Sequence, residues 1–132
     1  MVAFQEVGKR DLFATKSILV VEDDLELATM LKNIIEECGG KQVILAANGF
    51  HALEILQSMK PDCFLFDYHL PGIDGIKLYQ LLHSNRAFAH IPVLFLSAHA
   101  AKEVFEAHHL SYLSKPFEVE DFLQKIEALL TG

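Results

Sequence analysis

The sequence contains no tryptophan and only two cysteines, Cys38 and Cys63. Neither cysteine has metal-type spacing with another ligand, and Cys63 opens an apolar run where a small buried thiol is ordinary. So few thiols leave a reduced, cytoplasmic setting as the expectation. Basic residues are also scarce: 11 Lys and Arg stand against 18 acids, for a formal net charge of −7, with no basic stripe. Direct nucleic-acid binding by this chain is therefore not expected. No apolar run approaches the length of a membrane span, and the N-terminus has no secretory pattern. Low-complexity tracts are missing as well. What is present, 132 residues of which 52% are hydrophobic, suffices for one folded domain with its own core.

Residues 1–16 show no clean period and read as an N-terminal extension, with a short helix expected to dock through Phe4, Val7, Leu12 or Phe13. From residue 17 to 132 the chain alternates. Short β-branched and apolar runs at 17–21, 42–46, 63–66, 92–97 and 111–114 read as strands. Between them, apolar residues recur at helical spacing. Leu27, Leu31, Ile34, Ile35 and Cys38 lead to a stop at Gly39-Gly40, and residues 49–59 form a second helix ended before Pro61. Residues 76–84, 102–108 and a closing segment from Val119 give three more helices. Five strands alternating with five helices predict an α/β domain, and strands apolar on both faces predict a parallel sheet covered on both sides.

In open parallel sheets, ligands bind beyond the carboxyl ends of the strands. Glu22, Asp23 and Asp24 follow the first strand, Asp67 ends the third, Ser97 the fourth, and Lys115-Pro116 follow the fifth. Asp24 directly precedes a helix and suits capping. The other carboxylates would repel one another and resist desolvation unless a cation lay among them. Oxygen ligands without His or Cys suit Mg²⁺, or Mn²⁺, rather than zinc. A carboxylate beside such an ion, with a lysine and a hydroxyl opposite, can attack a phosphoryl group. Asp67 is placed as that nucleophile.

The stretches ILVVEDD, FLFDYHLPGIDG, PVLFLSAHA and YLSKPF, in this order, resemble the response-regulator receiver (CheY-like) domain over roughly residues 17–130. The resemblance implies a flavodoxin-like, doubly wound five-stranded parallel sheet of order 2-1-3-4-5 with five helices. It implies that Asp67 is the phosphoacceptor. Mg²⁺ would be held by Glu22, Asp23, Asp67 and the backbone carbonyl of His69. Ser97 and Lys115 would bind the phosphoryl group, Tyr112 would change rotamer on activation, and the Lys115–Pro116 bond would be cis. His69 and His99 fall at positions that rim the pocket in the family. Of the remaining histidines, His51, His83 and His90 fall on separate elements and the adjacent His108 and His109 point apart on a helix, so they read as solvated. Between Ser97 and Tyr112 the spacing is about one helical turn shorter than the family's, so a shortened fourth helix is expected.

The implied role is a phosphorelay receiver of a two-component system, a switch rather than an enzyme. Its partners would be a sensor histidine kinase or phosphotransfer protein and a downstream output protein or domain. The chain would either act alone or form part of a longer regulator or hybrid kinase. Two other readings stay open at this point. A haloacid-dehalogenase-like phosphatase would use Asp67 as nucleophile but places an Asp where His69 stands, and a binding module could have lost phosphorylation.

Overall fold

The computed structural model describes residues 15–98 and 102–131; the docking helix expected from Phe4, Val7, Leu12 or Phe13 lies outside the described residues. The elements run β1 (Ser17–Val21), α1 (Leu25–Glu37), β2 (Gln42–Ala46), α2 (Gly49–Ile55), β3 (Cys63–Asp67), α3 (Gly75–His83), β4 (Val93–Ser97), α4 (Lys102–Ala107), β5 (Ser111–Ser114) and α5 (Val119–Thr131). All five strands are parallel, in the order β2-β1-β3-β4-β5.

The period of two along each strand divides the core into two layers. Leu19 and Val21 of β1, Phe64 and Phe66 of β3, and Val93 and Phe95 of β4 pack on the face that receives Ala52 of α2, Leu78 and Leu82 of α3 and Phe105 of α4. Their neighbours Ile18, Val20, Cys63, Leu65, Leu94 and Leu96 pack on the opposite face, against Leu31 and Ile35 of α1 and Phe122 and Ile126 of α5. The three central strands are thus apolar on both sides, as a sheet sandwiched between helices requires.

Several boundaries differ from the sequence reading by a residue or more, each for a local reason. β3 runs one residue further, to Asp67, which still pairs with Leu96. β4 starts at Val93 because Pro92 has no N–H to give the ladder, although its carbonyl accepts from Phe64 N at 2.9 Å. α3 starts at Gly75 because Asp74 caps it, accepting from Lys77 N at 2.8 Å. α2 ends at Ile55, not Met59: Gln57 and Ser58 donate to the carbonyls of Glu54 and Ile55, a tightened turn three residues back. α1 closes as expected, with Gly40 at φ +68° just beyond its cap. α4 is short, six residues. Among the described residues no helix is long and apolar enough to cross a membrane.

The two thiols have opposite fates. Cys63 is fully buried, and burial, helped by the neighbouring Asp62 carboxylate, pushes its thiol up to about 12, whereas Cys38 is exposed. Since the thiolate is the reactive species, a maleimide should modify Cys38 alone in the native protein and both cysteines in denaturant. Mass spectrometry of the labelled peptides reads the outcome directly.

Candidate functional site

The site is assembled by the ends of adjacent strands. Val21 leads into Glu22, whose N–H continues the ladder to the Ala46 carbonyl at 3.0 Å. Asp67 is the last residue of β3, Ser97 the last of β4, and Lys115 N donates to the Ser97 carbonyl at 2.8 Å. Parallel pairing therefore delivers Glu22, Asp67, Ser97 and Lys115 to one edge of the sheet.

Close approach of the backbone is part of the design. A side chain at Gly75 would put its Cβ 2.7 Å from the Asp67 carbonyl oxygen and 3.3 Å from the Phe95 ring. Only glycine lets α3 begin this near the tip of β3. Gly72, at φ +77°, turns the intervening loop beneath the Phe50 ring.

Within the site, carboxylate oxygens of Glu22, Asp23 and Asp67 lie within 4.8 Å of one another. Lys115 Nζ stands 3.5 Å from Asp67 Oδ2 and 3.8 Å from Glu22 Oε1. Glu22 is only 4% exposed. Its Oε2 accepts from Asp24 N at 3.1 Å, while Oε1 is buried with no hydrogen-bond partner. Burial above all, reinforced by the Asp67 carboxylate, raises Glu22 from 4.5 to about 7, against the opposing pull of the Asp24 N–H and Lys115. An orphaned oxygen inside a group of three carboxylates is what a hard divalent cation would satisfy. The donor set fits Mg²⁺, with Glu22, Asp23 and Asp67 as the side chains able to hold it.

The other singled-out residues are placed as follows. Asp24 faces away, its carboxylate capping α1 by accepting from Glu26 N and Leu27 N at 3.0 and 3.3 Å. The backbone N–H of His69 donates to Asp67 Oδ1 at 3.2 Å, and its exposed ring stands edge-on to Tyr68 with centroids 4.8 Å apart. Ser97 is 1% exposed, in register with Ser114. Tyr112 lies on β5 opposite Phe95, its ring stacked on Phe105 at 4.9 Å. The Lys115–Pro116 bond is cis. His99 lies outside the described residues.

Two residues near the site escaped the sequence reading. Tyr68 packs edge-on against Phe105 of α4 at 5.3 Å, so Phe105 lies between Tyr68 and Tyr112. Nothing in the local pattern around Tyr68 signals this, because the partner is 37 residues away in the sequence.

Comparisons with known proteins give the family of the chain. The family model of the response regulator receiver domain matches residues 18–127, and the chain belongs to that family, the signalling switches of two-component systems. Over 119 residues it is 32% identical to the polar-differentiation response regulator DivK of Brucella anthropi, covering 87% of this chain and 96% of that protein. The DivK of Brucella ovis is likewise 32% identical, over 88% of this chain and 97% of its own length. Among solved structures, the signal receiver domain of a signal transduction histidine kinase from Syntrophus aciditrophicus superposes with a TM-score of 0.81. It is 29% identical, over 89% of this chain and 92% of that one. The receiver domain of the Francisella response regulator 1452 gives a TM-score of 0.78 at 28% identity, over 89% and 98% of the two chains.

The buried glutamate makes metal-free stability depend on pH. Its folded pKa, about 7, lies above the unfolded value of 4.5, so between these limits the folded state binds the extra proton. Stability should fall as pH rises through that window, by on the order of 2–3 kcal/mol in chelator. Glu22→Gln should flatten this part of the profile and be more stable than wild type above pH 7. Denaturant titrations across the pH range check it.

Proposed function

We propose that Asp67 accepts a phosphoryl group from the phosphohistidine of a partner sensor kinase or phosphotransfer protein, and that the phosphorylated chain changes its affinity for an output protein or domain. The observation that carries the reading is the pairing of Lys115 Nζ with Asp67 Oδ2 at 3.5 Å beside the orphaned Glu22 Oε1. One cation and one unmet demand for a second flank a carboxylate at the tip of a strand. Membership in the receiver family supports it.

In the reaction, an Asp67 carboxylate oxygen forms the new bond to phosphorus as the phosphorus–nitrogen bond of the donor imidazole breaks. The donor imidazole, already protonated on its other ring nitrogen, leaves with the electron pair as neutral imidazole, and an acyl phosphate remains on Asp67. Lys115 pairs with phosphoryl oxygens and relinquishes part of its hold on Asp67. The Ser97 hydroxyl donates to a phosphoryl oxygen. Glu22, Asp23, Asp67 and the His69 carbonyl would hold Mg²⁺, which when bound would supply neutralisation of the remaining phosphoryl charge. Because Ser97 and Lys115 bracket the β4–β5 pair, their movement toward the phosphoryl group is felt at Tyr112, which would change rotamer against Phe105. In this reading residues 17–132 form the receiver, residues 1–16 an extension, and the protein works in the cytoplasm as a switch.

With Mg²⁺ and acetyl phosphate, wild type should acquire one phosphoryl group on Asp67, read by mass spectrometry of the intact chain and its peptides. Asp67→Asn should not be labelled, and Asp23→Asn should be labelled far more slowly. Lys115→Ala should still be labelled, while the accompanying change in amide chemical shifts around Tyr112 largely disappears. Phosphate found elsewhere with Asp67 untouched would sink the assignment.

The lifetime of the acyl phosphate should also depend on His69. Its backbone N–H donates to Asp67 Oδ1 and its ring is exposed beside Tyr68. From there the imidazole would hydrogen-bond phosphoryl oxygens or the water that attacks the phosphorus. Decay rates should therefore differ between wild type and His69→Ala, and equal rates would make the ring a bystander.

A further inference from the structure

At the opposite edge of the sheet, where β4 and β5 begin, three histidines from separate segments line one cavity. His83 is the last residue of α3, His90 sits in the turn before β4, and His109 follows α4. All three are exposed and line a cavity of about 240 Å³ whose floor includes Ile91, Val93 and Leu110. Among the described residues, no Asp, Glu, Lys or Arg lines it. His109 adopts φ +56°, turning the chain from α4 into β5. His83 stacks on Tyr79 with ring centroids 5.1 Å apart.

We infer that this histidine-lined cavity binds a borderline divalent transition-metal ion, with Zn²⁺ the representative case. A set of imidazoles, with no carboxylate among the described lining residues, is the chemical opposite of the oxygen cluster at Asp67. It selects zinc, copper or nickel over magnesium. Among the described residues only Glu22, Asp23 and Asp67 already hold their ligand atoms within 4.8 Å of one another. The three imidazoles must therefore swing together to share an ion. Exposed imidazoles at the rim of an open cavity have that freedom, and water completes the coordination. The ion would join the end of α3 to the segment leaving α4, and closure by His83 would disturb its stack on Tyr79. The inference is independent of phosphorylation, because none of these residues takes part in the Asp67 site.

The test is a Zn²⁺ titration of untagged protein in saturating Mg²⁺, followed by calorimetry and by tyrosine emission, the chain having no tryptophan. One Zn²⁺ per chain is expected, with a change in tyrosine emission and a rise in melting temperature. His83→Gln, His90→Gln and His109→Gln should each weaken binding by at least roughly tenfold, the loss that even an outer-shell partner causes. His51→Gln and His108→Gln should leave it unchanged. No saturable binding, binding that survives all three substitutions, or binding lost in Asp23→Asn instead would overturn the inference. These exposed substitutions leave the core intact, and far-UV circular dichroism verifies folding in each variant.

Discussion

A glutamate held 4% exposed with one oxygen unbonded is a costly thing to build into a sheet edge, and the organisation of the site follows from it. Glu22 cannot ionise comfortably beside Asp67 unless positive charge comes near both, and Lys115 at 3.5 and 3.8 Å serves two acids at once. Charge balance on this edge is therefore incomplete within the chain itself. A divalent cation is the kind of partner that completes it, because it adds positive charge among the acids without removing Lys115 from either.

The scaffold is rigid where this balance is set. β1, β3 and β4 are buried on both faces, and their tips carry Glu22, Asp67 and Ser97. Gly75 lets α3 start against the Asp67 carbonyl, and Asp74 caps the same helix from the same loop. Acids at the ends of central strands inherit their positions from hydrogen-bond ladders rather than from flexible loops. The last strand is different. β5 lies at the edge, partly exposed along Ser111–Leu113, and it carries Tyr112 and leads to Lys115.

Sequence patterns reached some of this and missed other parts for physical reasons. The strands were legible to within a residue because apolar runs on both faces leave little freedom in where the ladder begins. The acids at strand tips were legible because a parallel sheet sends its carboxyl ends to one side. Helix ends were less so: the early close of α2 rests on backbone bonds at Glu54 and Ile55 that side-chain periodicity does not encode. Glu22 and Asp23 are adjacent acids that read alike, yet the first is buried and the second exposed. Their difference comes from strand-end packing, not from local pattern. That His83, His90 and His109 line one cavity was likewise invisible, since three separate segments supply them. Read along the chain, they are solvated and unrelated.

The brevity of α4 changes what kind of object it is. Six residues are too few for a helix to persist by its own hydrogen bonds. Phe105 is its one fully buried side chain, held edge-on by Tyr68 and face-to-face by Tyr112. The helix is thus a consequence of an aromatic sandwich, one slice from the loop after β3 and the other from the outermost strand. A longer helix would slide or tilt as a rod when its neighbours shift. This one has no rod-like identity to preserve, so its natural response to a moved tyrosine is to wind or unwind.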